Sequence, residues 1–109
     1  MLTIYVAHPF SGDPEGNMKK IDEIMKELTA KNPNDCFISP LHNFSYDEGS
    51  PESQILARCF KLISSCDEIW VYGNFETSVG CRAEMAFAEY LSIPIVFKDE
   101  SKIFKQREV

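Results

Sequence analysis

Short apolar segments alternate with longer stretches of helical periodicity along the chain, and this alternation restricts the fold more than any other feature of the sequence. The apolar segments are 2–7, 36–38, 68–72 and 93–97. They are rich in β-branched or aromatic residues, as is typical of strands buried on both faces of a parallel sheet. The order β-α-β-α-β-α-β predicts an α/β fold, a Rossmann-like or flavodoxin-like three-layer sandwich around a four- or five-stranded, mainly parallel sheet.

Three sequence signals mark where helices begin. Asp13-Pro14-Glu15 supplies an N-cap, a proline for the first turn and an early acid, and helical spacing continues to about Lys31. Ser50-Pro51-Glu52 repeats this signal for a second helix, and Ser78 is placed to cap a third helix that runs to about Leu91. Because ligands of parallel sheets bind at the carboxyl ends of the strands, the loops after the first three strands form the candidate site. These loops are 8–13, 39–46 and 73–78.

The composition is that of one globular domain comprising residues 1–109. The chain is 44% hydrophobic and 26% charged, and its 17 acidic and 11 basic residues give a net charge of −6. This balance disfavours binding to DNA or RNA, whose phosphate backbone is bound by clustered basic residues. No apolar run reaches the roughly 18 residues of a membrane span, and no secretory signal is recognisable, so we expect a cytoplasmic protein that does not bind membranes.

The four cysteines predict neither a disulfide framework nor a zinc site. Cys36, Cys59, Cys66 and Cys81 form no Cys-x-x-Cys pair, and we interpret them as reduced, buried thiols. The sequence also has no Walker loop, no G-x-G-x-x-G pattern and no other cluster of metal ligands. It therefore predicts a site without a metal or a cofactor.

Glu84 is the most informative residue, because it falls on the apolar face of the predicted third helix. The residues within about 60° of it on a helical wheel are Gly80, Phe87, Ala88 and Leu91. The positions predicted to face solvent are Arg82, Met85 and Glu89. An ionised carboxylate in an apolar stripe is costly unless it has a partner or lines a pocket. Two interpretations are open: a functional group in a cleft, or a structural glutamate that accepts hydrogen bonds from Tyr5, Tyr72 or a backbone amide.

Other residues near the predicted strand ends are candidates for ligand contacts. Ser78 and the first free amides of its helix can bind an anion, and Gly80 leaves space one turn before the glutamate. Ser11-Gly12 forms a comparable turn, while His8 and His42 fall at strand ends that face the proposed cleft. Each residue also has an ordinary structural explanation, as a helix cap, a close-packing glycine or a histidine with local hydrogen bonds.

Three segments of the chain carry a family resemblance. They are Thr-Ile-Tyr-Val-Ala-His-Pro-Phe-Ser-Gly at 3–12, Cys-Asp-Glu-Ile-Trp-Val-Tyr-Gly at 66–73, and Ser-Val-Gly-Cys-Arg-Ala-Glu-Met-Ala-Phe-Ala at 78–88. Together they resemble the nucleoside 2-deoxyribosyltransferase-like superfamily, and the most similar branch is a group of small domains of the DUF4406 type. The resemblance covers nearly the whole chain to about Phe97. Its most specific element runs through the second and third segments, where an aspartate is followed by a strand, a loop and the pattern Gly-x-x-x-Glu.

The resemblance implies a nucleophilic glutamate at Glu84 and a tyrosine that contacts it at Tyr5. Six positions before the glutamate, the transferases of the superfamily have an aspartate that holds the 5′-hydroxyl, whereas the related nucleotide hydrolases have a serine that binds a 5′-phosphate. That position is Ser78 here, and the hydrolases also bind the phosphate in the turn that corresponds to Ser11-Gly12. The chain departs from the pattern in one respect, because 53–66 lacks the acid that often contacts the sugar and the departing base.

The sequence thus predicts a hydrolase or a deoxyribosyltransferase that breaks the N-glycosidic bond of a small-molecule nucleotide, a nucleoside 5′-monophosphate. Phe10, Phe44 or Tyr46 is expected to stack on the base. The resemblance also implies a homo-oligomer, with contacts expected from 41–46 and from Ile103-Phe104. The alternatives are a non-catalytic module that binds a nucleotide or a nucleotide-derived signal, and a structural protein that forms oligomers without a ligand.

Overall fold

The computed structural model describes residues 1–101 and 103, and its centre is a four-stranded parallel sheet. The strands are β1 (Thr3–Ala7), β2 (Cys36–Ile38), β3 (Glu68–Val71) and β4 (Ile95–Phe97). They lie in the order β2-β1-β3-β4, and each neighbouring pair is parallel. The predicted α/β fold with a parallel sheet is therefore confirmed.

Helices connect the strands across the sheet. Within the described residues they are α1 (Pro14–Lys31), α2 (Pro40–Asn43), α3 (Glu52–Ile63) and α4 (Val79–Tyr90), with a 3₁₀ turn at Phe75–Thr77 before α4. The predicted caps of α1 and α4 are confirmed, since the Asp13 side chain accepts a hydrogen bond from the Gly16 amide and the Ser78 hydroxyl accepts one from the Cys81 amide. In the part of the chain that the structure describes, no helix has both the length and the apolar character needed to cross a membrane.

Two local predictions about helix starts are wrong. The segment 39–46, predicted as a loop, contains α2, because the Ser39 hydroxyl accepts a hydrogen bond from the His42 amide and a proline occupies the first helical position. Ser50, predicted as the cap of α3, lies one residue too early. Its hydroxyl instead accepts a hydrogen bond from Arg58, and α3 begins without a side-chain cap.

Apolar side chains cover both faces of the sheet, and alternation along the strands decides which face each one covers. Tyr5 and Ile69 point to the face covered by α3 and α4. The buried helix residues on that face are Cys59, Ile63, Cys81 and Ala88. Val6 and Tyr72 belong to the opposite face, where they pack against α1. Tyr72 is thus separated by the sheet from the helices α3 and α4.

The buried face of α4 consists of Cys81, Glu84 and Ala88. The middle of this face is rotated from Glu84 toward Cys81, so two predictions about the helix are wrong. Leu91, predicted to face inward, is 38% exposed at the end of the helix. Met85, predicted to face solvent, is half-buried against the α3–α4 side of the core.

The predicted subunit contacts stay predictions, and one prediction about the cysteines is wrong. Ile103 is half-buried against the α1 side of the same chain, and Phe104 lies outside the described residues. Cys36 is exposed at the start of the edge strand β2, whereas the other three cysteines are buried thiols. Tyr46 is 79% exposed, and its role in a subunit contact stays a prediction.

Candidate functional site

A cavity of about 1110 Å³ opens at the carboxyl edge of the sheet, where the sequence predicts the ligand site. Its walls come from the loop after β1, the first half of α1, the α2 region, α3 as far as Cys59 and α4 as far as Glu84. The predicted site residues in these walls are His8, Ser11, His42, Ser78, Gly80 and Glu84. Tyr5 is fully buried, and Gly12 turns the first loop at a φ of 96° without lining the cavity. The fold therefore brings the three predicted loops around one cavity.

Glu84 lines this cavity and forms a buried pair with Tyr5. The Tyr5 hydroxyl donates a hydrogen bond to Oε2 of Glu84, a residue that is 7% exposed. Burial raises the pKa of Glu84 to about 7, although the hydrogen bond from Tyr5 opposes the change. Burial and the Glu84 charge raise the pKa of Tyr5 far above its ordinary value, so Tyr5 is a neutral donor. The carboxyl group thus changes its charge near neutral pH.

Two thiols lie close to Glu84 in the cavity wall. Cys59 comes from α3 and Cys81 from the first turn of α4, and both line the cavity. Burial raises the pKa of Cys59 to about 11 and that of Cys81 to about 12, so both are neutral at pH 7. They give the carboxylate a weakly polar surrounding, which explains why its charged form is disfavoured.

The amino terminus of α4 differs from those of α1 and α3. Ser78 caps it with a neutral hydroxyl, and its first turn contains no acid. Helix α1 begins instead at the Asp13 carboxylate with Glu15 in its first turn, and α3 has Glu52 in its first turn. Among the three long helices of residues 1–101, α4 therefore offers the start best suited to an anion. The turn at Ser11-Gly12 is less suited, because the neighbouring carboxylate of Asp13 already occupies an α1 amide.

Both predicted histidines have protein partners at both ring nitrogens. His8 Nδ1 lies 2.8 Å from the Pro9 carbonyl oxygen, and its Nε2 lies 2.7 Å from Oε2 of Glu100. His42 Nδ1 lies 2.8 Å from the Ser39 hydroxyl, and its Nε2 lies 3.3 Å from Oδ1 of Asp22. The local hydrogen bonds that the sequence analysis set against a ligand role are present, although both rings line the cavity.

Most of the carboxylates in the cavity wall were not predicted from the sequence. Of the described residues that line it, five carry a carboxylate: Glu15, Asp22, Asp47, Glu52 and Glu84. Asp47 lies after α2 and pairs with Arg58 of α3, and hydrogen bonds from Ser50 lower its pKa. In the part of the chain described, no three His, Cys, Asp or Glu side chains converge as metal ligands would. The wall is thus acidic, although its acids are dispersed around the cavity.

Two of the three predicted stacking residues reach the cavity. Phe10 lies in the wall formed by the first loop, and Phe44 lies in the wall that follows α2. Tyr46 does not line the cavity. Flat apolar surface is therefore present on the side of the cavity formed by the first loop and the α2 region.

One family model matches nearly the whole chain. Its description is "Domain of unknown function (DUF7768)", and it matches residues 2–98. The matching model is thus not of the DUF4406 type that the sequence motifs resemble. No protein of curated function matches the chain.

Solved structures with the same fold include proteins named 2-deoxyribosyltransferases. A conserved protein from Enterococcus faecalis V583 superposes with a TM-score of 0.73 at 16% identity, over 89% of this chain and 62% of that one. The 2-deoxyribosyltransferase from Bacillus psychrosaccharolyticus gives 0.68 at 20% identity, over 89% and 72%. The 2-desoxiribosyltransferase from Leishmania mexicana gives 0.68 at 18% identity, over 91% and 65%. The chain spans less than two thirds of the first and third of these proteins, and at such identities the likeness shows the fold.

Proposed function

The chain belongs to the family described as Domain of unknown function (DUF7768), and we propose that it cleaves or transfers the N-glycosidic bond of nucleoside 5′-monophosphates. One observation carries this proposal: a buried glutamate, Glu84, lines a large cavity at the carboxyl edge of the sheet and is held by the fully buried Tyr5. The fold shared with two proteins named 2-deoxyribosyltransferases supports glycosyl chemistry on nucleosides. Release of free base from deoxy- and ribonucleoside monophosphates, followed by chromatography, is the direct test.

In this proposal the ionised Glu84 attacks C1′ of the sugar, and the bond between C1′ and the base nitrogen breaks. The electron pair of that bond leaves with the base, which takes up a proton, and the sugar is held as an ester of Glu84. Water or a second base then attacks C1′ and releases the carboxylate. Hydrolysis yields a free base and a sugar phosphate, whereas transfer yields a new nucleotide.

The distance from the start of α4 to Glu84 suits one nucleotide. Ser78 precedes Glu84 by six residues, which corresponds to about 9 Å along the helix axis. A 5′-phosphate at the Ser78 end would place the sugar toward the glutamate, and Gly80 leaves the intervening space open. The absence of an acid from the first turn of α4 supports this orientation, because the phosphate carries the negative charge of the nucleotide and is not repelled there. The base is uncharged, so it can lie beside the carboxylates of the wall.

The departing base is proposed to lie toward the α2–α3 side of the cavity. Phe44 offers a flat surface there, and Phe10 lines the cavity from the first loop. Of the carboxylates that line the cavity, Asp47 and Glu52 are the nearest in sequence to the segment 53–66, which lacks the expected acid. Asp47 is held ionised by its hydrogen bonds, so it suits a hydrogen bond from an exocyclic amino group. We assign the proton transfer to the base to Glu52, which lines the cavity from the first turn of α3.

A charge placed at the α4 cap should separate nucleotides from nucleosides. We expect Ser78→Asp to weaken binding of monophosphates by about tenfold or more, because it puts a carboxylate where the phosphate is proposed to lie. Binding of the matching nucleosides should change little, since aspartate caps a helix as well as serine does. Isothermal titration of monophosphates and nucleosides measures both effects.

Ser78→Asn is the matched control, because asparagine caps the helix without a charge. It should bind monophosphates nearly as well as the parent. A parent protein that binds nucleosides and monophosphates equally, or a Ser78→Asp variant with unchanged monophosphate affinity, would contradict the phosphate assignment.

Removing the Tyr5 hydroxyl should shift the pH dependence of the reaction. The hydrogen bond from Tyr5 lowers the pKa of Glu84, so Tyr5→Phe should raise that pKa above about 7 and move the rising limb of the rate to higher pH. At pH 7 the rate should fall by about tenfold to a hundredfold, the range expected for a lost hydrogen bond to a charged group. Rates measured between pH 6 and 9 distinguish this shift from a loss at every pH, which would disagree with the role given to Tyr5.

A non-catalytic nucleotide-binding module is the second candidate function. The observation in its favour is the segment 53–66, which contains no acid to protonate the departing base. The buried position of Glu84 is the argument against it, because a carboxylate beside the ligand weakens the binding of a phosphate.

A further inference from the structure

Glu100 reaches back from the segment after β4 to a residue of the cavity wall. Its Oε2 lies 2.7 Å from Nε2 of His8, and its Oε1 lies 3.9 Å from Nζ of Lys20 on α1. The two residues of the closer contact are 92 positions apart, and Glu100 lies beyond the residues 2–98 that match the family model. The segment that follows the family domain thus contributes a contact to the site.

The ring of His8 is confined on several sides. Its side chain is 1% exposed, and Nδ1 lies 2.8 Å from the Pro9 carbonyl oxygen. Gly73, which follows β3, packs against it with a φ of +72°, and a Cβ at this position would lie 3.2 Å from His8 Nε2 and 3.0 Å from Pro9 Cδ. The orientation of the ring is therefore fixed by the first loop, by Gly73 and by Glu100.

Both ring nitrogens of His8 face oxygen acceptors. A neutral imidazole has one N–H and can donate to only one of them, whereas a doubly protonated ring donates to both. The hydrogen bond with His8 lowers the pKa of Glu100 against the effect of burial, and the charge of Lys20 acts in the same direction while Asp99 opposes it. The arrangement is satisfied by a carboxylate and an imidazolium.

We propose that Glu100 is a positioning residue, which holds His8 as an imidazolium in the cavity wall and thereby raises the affinity of the cavity for an anionic ligand. Both N–H groups are engaged by the protein, so His8 acts on the ligand through its charge. Glu100 does not line the cavity, so a ligand lies nearer to the cation than to its partner. Among the described residues Lys19 is the single lysine or arginine in the acidic wall, which makes a buried cation significant. The choice of a 5′-monophosphate as the anion rests on the proposed function.

The protonation of the ring tests this proposal without any ligand. Nitrogen-15 chemical shifts should show both His8 ring nitrogens protonated in the parent at pH 7. In the Glu100→Gln variant, the His8 ring should lose its second proton at a lower pH than in the parent. The groups that face Glu100 are His8, Lys20 and Asp99, and all three are kept in this variant. His42 serves as the internal control, since its partners are Ser39 and Asp22. A parent ring with a single proton at pH 7 overturns the proposal.

Binding then tests the effect on the ligand. Glu100→Gln should raise the Kd for deoxynucleoside monophosphates by about fivefold and leave the Kd for the matching nucleosides unchanged. His8→Gln combined with Glu100→Gln should bind monophosphates no more weakly than His8→Gln alone. Glu89→Gln, which removes a charge from the exposed face of α4, should leave both constants unchanged.

Equal losses for monophosphates and nucleosides in Glu100→Gln overturn the charge effect, because they indicate a change in cavity shape. A parent that binds neither ligand contradicts the proposed function. In that event the ring measurement still decides whether Glu100 holds His8 in its charged form.

Discussion

Replacing Glu84 by glutamine is expected to lower the release of free base by about a thousandfold or more, because the variant keeps the shape of the side chain and lacks its nucleophile. The amide oxygen can still accept the hydrogen bond from Tyr5, so the cavity should be unchanged. Affinity for a monophosphate should stay similar or improve, since a negative charge near the phosphate is removed. The measurement is chromatography of free base from a panel of monophosphates, with parent and variant side by side.

Glu89→Gln makes the same chemical change on the exposed face of the same helix and should keep full activity. Glu84→Ala should fold with a melting temperature near that of the parent, because the gap it leaves opens to the cavity. A purely structural glutamate predicts the reverse, a loss of stability with no activity to lose. A parent that binds a nucleotide and releases no base from any member of the panel would leave the binding module as the better explanation.

The parallel direction of the strands follows from local sequence patterns, whereas their order in the sheet was not predicted. Segments such as 68–72 are apolar and short, and the helix that crosses back after each strand makes neighbouring strands parallel. The same sequence signal did not predict every helix start correctly. In the Ser-Pro pair at 39–40 the serine caps the helix that begins at the proline. In the pair at 50–51 the Ser50 hydroxyl accepts a hydrogen bond from Arg58, eight positions away, and the helix begins one residue after the proline. A local signal cannot include such a competing contact.

Glu84 could be singled out because helical periodicity alone places it on a buried face. The acids Asp47 and Glu52 could not, because carboxylates in a polar segment or in the first turn of a helix look the same whether they face a cavity or bulk water. Glu100 is the extreme case. Nothing in the sequence near it indicates His8, and only the packing of the final segment against the first loop brings the two together.

Glu84 should also make the stability of the protein depend on pH. Burial raises its pKa in the folded chain from an ordinary value of 4.5 to about 7. The folded state therefore holds this proton more tightly than the unfolded state does, so the stability it contributes is complete below pH 4.5 and is lost as the pH rises through about 7. Glutamine carries no charge at any pH and avoids the loss. Relative to the parent, Glu84→Gln should gain up to about 3 kcal/mol of unfolding free energy between these limits.

Urea unfolding of both proteins at pH 5.0 and pH 8.5 measures this gain, because every other titrating group is shared and cancels in the difference. The advantage of the variant should be small at the lower pH and near its maximum at the higher one. Glu89→Gln should show no such change with pH, since Glu89 is exposed. An advantage that is equal at the two pH values would mean that the ionised carboxylate is well hydrated or paired in the folded chain. The weakly polar surrounding formed by Cys59 and Cys81 would then not be what sets the charge of Glu84.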